Sequence, residues 1–487
     1  MGRDRAGRCS LDPAHRGPRR SWREPAAGSI ALNTGAVSPH AVGESCGLLG
    51  PRTADRMSSR RALSLGRGVS LHGSDSKSPW EERLSITCGI DWAENHHDVA
   101  LVDADGRLIA KRRISDDVAG WQALLDLFTV HGDSAEDPIP VAIETNRGLL
   151  VACLRSTGRK VYAINPLAVA RYRERHTVAR SKSDHADAMT LANILRVDAA
   201  VHRSLPADSE LVQAIAVLAR AQQDAVWSRQ QVANQLRSLL REFFPAALSL
   251  FHVKNIGLTS REARTVLLAA PTPEAAAKLS LRQLHCLLRR AGRQRNIESW
   301  ATRLQTGFGQ PQLRQLPQVE AAFGHQARAL LTQLDAACRA ADELAEAASH
   351  AFQQHPDAVI ITSFPGLADM TGARVLAEIG DDRTRFRDAK SLKAYAGSAP
   401  ITRASGRSLV VHHRKVKNQR LAAAGYIWAF ASLRAQGPRN HYDRRRNRGD
   451  RHSSALRHTF NRMLGCLYHC LQNGTPYQDT AAFSASA

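Results

Sequence analysis

The chain lacks several features that would assign it to a membrane, to the cell exterior or to a cysteine-based metal site. No apolar run approaches the roughly 18 residues that a membrane span requires. No compact apolar segment with a cleavage site marks a secretory signal. The eight cysteines form no CxxC pair, so neither a zinc motif nor a dithiol redox motif is indicated. We therefore expect a protein of a reducing, cytoplasmic compartment with no membrane partner.

Acidic residues are few relative to basic ones. The 487 residues include 67 Lys and Arg against 45 Asp and Glu, which gives a net charge of +22 and a pI near 10.4. Residues 385–460 alone carry 18 Lys and Arg against three Asp, a net +15. Such a balance indicates a polyanionic partner, and DNA or RNA fits a soluble composition better than a membrane surface. The basic segment is the predicted polynucleotide surface.

The composition of the chain divides it into four segments. Residues 1–84 are rich in Arg, Gly, Ser and Pro without periodicity, which predicts a disordered or non-native extension; a basic nucleic-acid-binding arm is the alternative. Residues 85–205 alternate strand-like and helix-like segments. Residues 206–355 have helical periodicity alone and predict coiled-coil helices with a linker region. Residues 356–480 predict a mainly α-helical C-terminal domain that contains the basic segment.

Apolar segments between residues 85 and 205 follow a recognisable order. LSITCGID predicts a buried strand ending at Asp91, followed by a hairpin that turns at Asp105-Gly106. The strand PVAIE ends on Glu144. The helices are predicted over 116–130, near 148–157, and as one long helix that contains SKSDHADA after a strand over 161–165. A three-strand meander followed by alternating helices and strands is the order of an α/β RNase H-like fold.

Two heptad seams mark the helical region. The first runs from Leu211 to Phe243 with Gln222 and Arg229 as polar interruptions, and the second runs from Phe323 to Ala348. Polar seam residues often fix register at some cost in stability. The seams predict either two core helices that pack on each other within one chain or a coiled-coil arm that joins protomers.

Four acids have positions that favour metal chemistry. Asp91 and Glu144 close two predicted strands, where ligands of open α/β sheets bind, and Asp184 and Asp187 share one helical face. Each acid alone has a structural explanation, as a cap, an ion-pair partner or a complement to the helix dipole. Four converging carboxylates require positive charge between them, which two divalent cations would supply. Oxygen ligands alone favour Mg²⁺.

The motifs that contain these acids resemble a known family. GIDWAENHHDVALVD, AIETNRGLL, VYAINPLAVARY and ARSKSDHADAMTLANIL are similar to the N-terminal domain of DEDD transposases of bacterial insertion sequences, which is related to the RuvC resolvase. PGLADMTGARVLAEIGD, SLKAYAGSAPITRASG and the closing GTPY are similar to the family's helical C-terminal domain. The resemblance spans about residues 86–477 and implies a RuvC-like catalytic domain.

This resemblance also implies a mechanism and partners. It implies a recombinase that is guided by a structured RNA of the element (bridge RNA), acts on DNA, and forms dimers that pair into tetramers. The aligned Ser405 would attack a DNA phosphodiester and form a phosphoserine link, with Ser408 as the neighbouring alternative. From composition alone, Ser405-Gly406 indicates a turn. A serine hydroxyl needs a base or a metal to activate it.

Basic residues around these motifs are the candidate nucleic-acid contacts, to DNA or to RNA. They are Arg180, Lys182, Arg403, Arg414, Lys415, Lys417, Arg420, Arg444, Arg445 and Arg446. Two other functions fit the same sequence. One is a RuvC-like nuclease that hydrolyses DNA with water, and the other is an inactive nucleic-acid-binding remnant of a transposable element.

Overall fold

A computed structural model describes residues 86–176, 184–252 and 257–483 of the chain. These residues belong to one compact unit, Lys77–Ala487. The predicted extension over residues 1–84 lies outside the described residues, as do the candidate contacts Arg180 and Lys182.

A five-stranded sheet organises the N-terminal region. Its elements are β1 (Ile86–Trp92), β2 (His96–Asp103), β3 (Leu108–Ser115), α1 (Val118–Val130), β4 (Val141–Ile143), α2 (Leu149–Ser156) and β5 (Val161–Ala163). The strand order is β3-β2-β1-β4-β5, with β1 to β3 antiparallel and with β4 and β5 parallel to β1. Strands rich in Val, Ile and Ala are buried on both faces in such a sheet. The order confirms the predicted α/β RNase H-like fold.

The single long helix predicted after β5 is wrong. Two helices occupy this stretch, α3 (Pro166–His176) and α4 (Asp184–Asp198). In one continuous helix Arg173 and Asp187 would lie about 21 Å apart, at 1.5 Å per residue. Their side chains instead form an ion pair, so α3 and α4 are not parts of one straight helix. Helix α4 packs against β1, β2 and β4 of the sheet.

The long helices α5 (Glu210–Phe243) and α11 (Pro317–Gln353) pack on each other within the chain. They run antiparallel, because Gln222 lies beside Ala341 near the middle of α5 while Phe243 at its end stacks on Phe323. Gln222 is buried and accepts hydrogen bonds from Arg374. The seams therefore form an intrachain helix pair, the first of the two interpretations.

Five short helices close a hydrophobic core at the Phe243 end of this pair. They are α6 (Pro245–Leu250), α7 (Arg261–Ala269), α8 (Pro273–Ala277), α9 (Leu281–Arg290) and α10 (Ile297–Gly309). Pro245, Pro273 and Pro317 each occupy the first turn of a helix, where the missing N–H costs nothing.

The C-terminal region is mainly helical. It contains α12 (Ala358–Thr362), α13 (Asp369–Ile379), α14 (Ala389–Tyr395), β6 (Ile401–Ser405), β7 (Ser408–His412), α15 (Gln419–Ser432), α16 (Gln436–Asn447), α17 (His452–Asn473) and α18 (Asp479–Ala482). Its core surrounds the buried Trp428 and includes residues from the start of α5. Among the described helices, none has the length and apolar character needed to span a bilayer.

Candidate active site

Asp91 and Glu144 lie on adjacent strands at the centre of the sheet. Ile90 of β1 and Ile143 of β4 are register partners in a parallel pair, and each of the two acids follows its isoleucine. The carboxyl ends of parallel strands meet at one edge of a sheet. The two acids therefore stand side by side, as their strand-end positions predict.

Helix α4 reaches this edge because β1 has no side chain at Gly89. A Cβ atom there would overlap the backbone of Ala188 and Ala192. The buried Thr87 hydroxyl donates a 3.0 Å hydrogen bond to the Ala192 carbonyl and fixes the same contact. The close approach places the first turn of α4 beside the end of β1. Asp187 is buried there, whereas Asp184 is exposed.

The electrostatics of Asp91 show that the four predicted acids share one environment. Burial is the largest cause that raises the pKa of Asp91, and together with the charges of Asp187, Glu144 and Asp184 it brings this pKa to about 6. Like charges disfavour ionisation of a neighbouring carboxyl. A carboxyl whose pKa is perturbed by burial and by specific charged neighbours is typical of a functional site.

A fifth carboxylate, Asp98, was missed in the sequence. Asp98 of β2 lies directly opposite Asp91 of β1 in the antiparallel register. It is only 2% exposed, and its charge also raises the pKa of Asp91. Arg113 of β3 donates two hydrogen bonds to it, at 3.1 and 2.7 Å. The available signal was the hairpin register, because opposite residues of an antiparallel pair share one face. We call Asp91, Asp98, Glu144, Asp184 and Asp187 the acid cluster.

Two arginines partly neutralise the acid cluster. Arg113 bridges from Asp98 to Asp184, 3.2 Å away, and these two acids raise the pKa of Arg113. Arg173 of α3 pairs with Asp187. The arginines therefore hold three members of the acid cluster, Asp98, Asp184 and Asp187.

His185, the residue between Asp184 and Ala186, also contacts this edge. His185 Nδ1 lies 2.8 Å from Asp98 Oδ1. Ligand-type atoms of His96, Asp98 and Asp184 all lie within 4.8 Å of one another, and among the described residues this is the group with metal-binding spacing. No three of the four predicted acids have this spacing.

The residues present fit a divalent cation. Carboxylate oxygens are the ligands that Mg²⁺ and Mn²⁺ prefer, and a bound dication would relieve the like-charge repulsion that contributes to the raised Asp91 pKa. The arginines would exchange partners when such an ion binds, because they contact the same carboxylates.

Ser405 lies in a different environment, at the last position of β6. It faces Ser408 across a two-residue turn, Gly406-Arg407, in which Gly406 has a φ of 55°. Ser405 and every residue of β7 are exposed. Among the described elements, β6 and β7 pack extensively only on each other. The β6–β7 hairpin, which lies within the basic segment, therefore presents the serine to solvent.

The other predicted basic contacts differ in how far they are free to bind a polyanion. Arg403, Lys415, Arg444 and Arg446 are exposed, while Arg414, Lys417 and Arg445 are half-buried. Arg445 pairs with Asp450.

Arg420 is already committed within the protein. Its guanidinium donates to both oxygens of Asp224, at 2.8 and 2.9 Å, and lies over the Trp227 ring. It joins α15 to α5 and is a less suitable phosphate contact than its exposed neighbours.

The sheet topology and the acid cluster together define the class of RNase H-like enzymes that process nucleic acids. Comparisons with known proteins narrow the class. Residues 88–245 match a family model described as a transposase, of the DEDD type of IS110, and residues 358–444 match one described as the IS116/IS110/IS902 transposase family.

Similar proteins cover nearly the same length. The mini-circle putative transposase for IS117 of Streptomyces coelicolor is 62% identical over 406 residues, which are 83% of this chain and 98% of that protein. The uncharacterized 43.6 kDa protein of insertion element IS110 from the same organism is 28% identical, over 82% of this chain and 96% of its own. The uncharacterized 42 kDa protein of IS900 from Mycobacterium paratuberculosis is 27% identical, over 82% and 99%. The chain belongs to the IS110 family of DEDD transposases, which act on DNA and whose type implies divalent metal.

Proposed function

We propose that this transposase cuts and rejoins DNA by Mg²⁺-dependent phosphoryl transfer, with Ser405 as nucleophile and an RNA of its own element as guide. The observation that carries the proposal is the acid cluster, in which four other carboxylates raise the pKa of the half-buried Asp91. Structural ion pairs match acids with bases, whereas this site concentrates acids at the carboxyl end of two central strands.

Asp91, Glu144, Asp184 and Asp187 would hold the metal, as two ions. The bound ions would neutralise the charge that develops on the phosphoryl oxygens during transfer. Asp98 has a separate role as a positioning residue, because it is buried and holds Arg113 through two hydrogen bonds. Arg113 in turn orients Asp184.

The serine step balances as a transesterification. The Ser405 Oγ–phosphorus bond forms while the bond from phosphorus to one DNA strand breaks. The hydroxyl proton leaves the serine, and the departing strand oxygen takes up a proton. Rejoining reverses the step with a new strand as the attacking hydroxyl, so no high-energy cofactor is consumed. A serine at an exposed turn is accessible to a phosphodiester held on the neighbouring basic segment.

The guide and the assembly are part of the same proposal. The exposed Arg403, Lys415, Arg444 and Arg446 of the basic C-terminal region can contact the phosphates of DNA or of a guide RNA. The β6–β7 hairpin packs extensively on no other described element, so the serine and the acid cluster can come from different protomers. We propose a homo-oligomer, with dimers pairing to a tetramer, that binds DNA and guide RNA together.

The Ser405→Ala variant tests the mechanism, with Ser408→Ala as a matched control in the same hairpin. Purified protein is loaded with RNA transcribed from the noncoding DNA that flanks its gene, and labelled element-end DNA is added with Mg²⁺. We expect a denaturant-resistant protein–DNA adduct with the wild type and Ser408→Ala, and none with Ser405→Ala.

Other outcomes would select another function. Cleavage by Ser405→Ala without any adduct in the wild type would indicate a RuvC-like nuclease that uses water. Loss of the adduct in Ser408→Ala alone would identify Ser408, and not Ser405, as the nucleophile. Cleavage without added RNA would overturn RNA guidance, and DNA binding without cleavage under any guide would indicate an inactive remnant.

A further inference from the structure

We infer that a second nucleic-acid site, separate from the acid cluster, binds a single-stranded polynucleotide segment between the β5 edge of the sheet and the C-terminal region. The inference deepens the proposed function by locating part of its nucleic-acid contact. It starts from a cavity of about 690 Å³ lined by residues from β5, from the segment after α4 and from the segment before α14. Tyr162 is among the lining residues.

The position of the cavity distinguishes it from the catalytic centre. Helix α4 begins at Asp184 in the acid cluster, and 15 residues span about 22 Å at 1.5 Å per residue. His202 and Arg203, which line the cavity, follow the other end of this helix. A ligand in the cavity therefore does not occupy the acid cluster.

The charge of the lining favours an anion. Lys160, Arg203, Arg385 and Arg387 surround the cavity, and Asp382 is the one acid among its lining residues. Asp382 already accepts hydrogen bonds from the Ala207 and Thr384 amides, at 3.0 and 2.9 Å, and its pKa is lowered although burial opposes this. The ionised Asp382 offsets part of the charge of Arg385, which leaves Lys160, Arg203 and Arg387 as the excess positive charge of the lining.

Three of the four cations are available to a ligand. Lys160 and Arg203 are exposed and have no ion pair with any described residue. Arg387 is 91% exposed and has only a distant contact, 3.9 Å, with Asp388. Arg385 is the exception, since it covers the Phe386 and Tyr395 rings and donates to the Tyr395 hydroxyl at 3.2 Å.

The size of the cavity selects the form of the polyanion. Ligand pockets measure about 300–1,000 Å³, a scale that admits a nucleotide or two of one strand and excludes a double helix. Separate cations around a concavity follow a phosphate backbone better than they grip one small anion. The strand can be a guide-RNA loop or an unpaired DNA strand, because both present the same phosphodiester chemistry.

The test removes the three available cations together, as Lys160→Ala, Arg203→Ala and Arg387→Ala in one chain. The matched control removes three exposed cations, one directly after α8 and two from α11, as Lys278→Ala, Arg328→Ala and Arg339→Ala, which lowers the net charge equally. Fluorescence anisotropy follows binding of single-stranded RNA, single-stranded DNA and duplex DNA of about 12 nucleotides, at several salt concentrations. A metal chelator is present throughout, so the result does not depend on cleavage or on Ser405.

We expect the cavity variant to bind single strands roughly tenfold more weakly or worse, with a salt slope smaller by about 2, since each single-strand phosphate contact contributes about 0.7. Duplex binding and the control variant should change little. A larger loss of affinity for single-stranded RNA than for single-stranded DNA would identify RNA as the ligand, and the reverse would identify DNA. Equal losses would indicate that the site recognises the phosphates alone. Equal losses in the cavity and control variants, a loss confined to duplex DNA, or no loss would overturn the site. The charge reversals Lys160→Glu and Arg203→Glu, checked for unchanged melting temperature, provide a second variant on which the same effect must be larger.

Discussion

The acid cluster and the β6–β7 hairpin are built in opposite ways, although we propose that both serve one reaction. The acid cluster stands on the two central strands and one packed helix, and its side chains are held by ion pairs to Arg113 and Arg173. The hairpin is exposed along its length, including Leu409, Val410 and Val411. A two-stranded hairpin alone is marginally stable in water. The acid cluster is therefore positioned by its own fold, whereas under the proposed function Ser405 would gain its position from a partner that covers the hairpin.

Among the substitutions that test this difference, the largest expected effect is on the rate of DNA cleavage. We expect Asp187→Asn to lower DNA cleavage by about 10³-fold, since removing one group aimed at developing charge costs about 10²–10³. Asp198→Asn, at the far end of the same helix, is the matched control and should cleave normally. Cleavage rates are measured with saturating Mg²⁺, and DNA affinity is measured alongside. Equal rates for the two variants, or an unfolded Asp187→Asn protein, would favour a structural role for Asp187.

The next effect is on folding of the acid-cluster side. Gly89→Ala should lower the free energy of unfolding by roughly 3 kcal/mol, because its methyl group would overlap the backbone of α4. Gly309→Ala is the control, since a Cβ there meets no atom within 4 Å. Chemical denaturation of the two variants gives the comparison. A neutral Gly89→Ala would show that α4 is not held tightly against β1.

A smaller effect follows from the Asp91 pKa of about 6, above the ordinary value of 3.8. For a carboxyl with a raised folded-state pKa, the stability contribution is complete below the unfolded value and is lost as pH rises through the folded value. Without metal, this contribution therefore disappears between about pH 4 and 6. Mg²⁺ or Mn²⁺ should raise the melting temperature more at a pH above 6 than below it, because the metal must displace the Asp91 proton at low pH.

Thermal melts with and without metal measure this dependence. In Asp91→Asn, the metal-induced shift in melting temperature should depend less on pH. Ser405→Ala is the control, and its pH profile should match that of the wild type. A metal-induced shift that is the same on both sides of pH 6 would contradict the assignment of Asp91 as a ligand.

The smallest effect concerns the hairpin. Gly406→Ala places a side chain at a φ of 55°, which costs about 1 kcal/mol locally. The global melting temperature should stay constant, since the hairpin packs extensively on no other described element. Hydrogen exchange of the β6–β7 amides should accelerate. A clear drop in the melting temperature would show that the hairpin is part of the folded core.

Sequence patterns predicted the sheet because strand order follows from local periodicity and turn residues. The ends of β1 and β4 placed Asp91 and Glu144 correctly for the same reason. The division into α3 and α4 was missed, since the intervening residues include neither Gly nor Pro to end a helix. Asp98 was missed because its importance arises from cross-strand pairing with Asp91. Likewise, the ion pairs of Arg113 and Arg173 are tertiary contacts that no spacing rule encodes.

The antiparallel pair of α5 and α11 has a consequence for how the chain tolerates changes in length. Its 34-residue helix extends about 50 Å, at 1.5 Å per residue. Hydrophobic cores are closed by separate sets of residues near its two ends. Removing about seven residues from each helix, close to two full turns, would shorten the pair while keeping the same faces together. The length of the α5–α11 pair therefore sets the distance between the two hydrophobic cores. A change in that length need not alter either core.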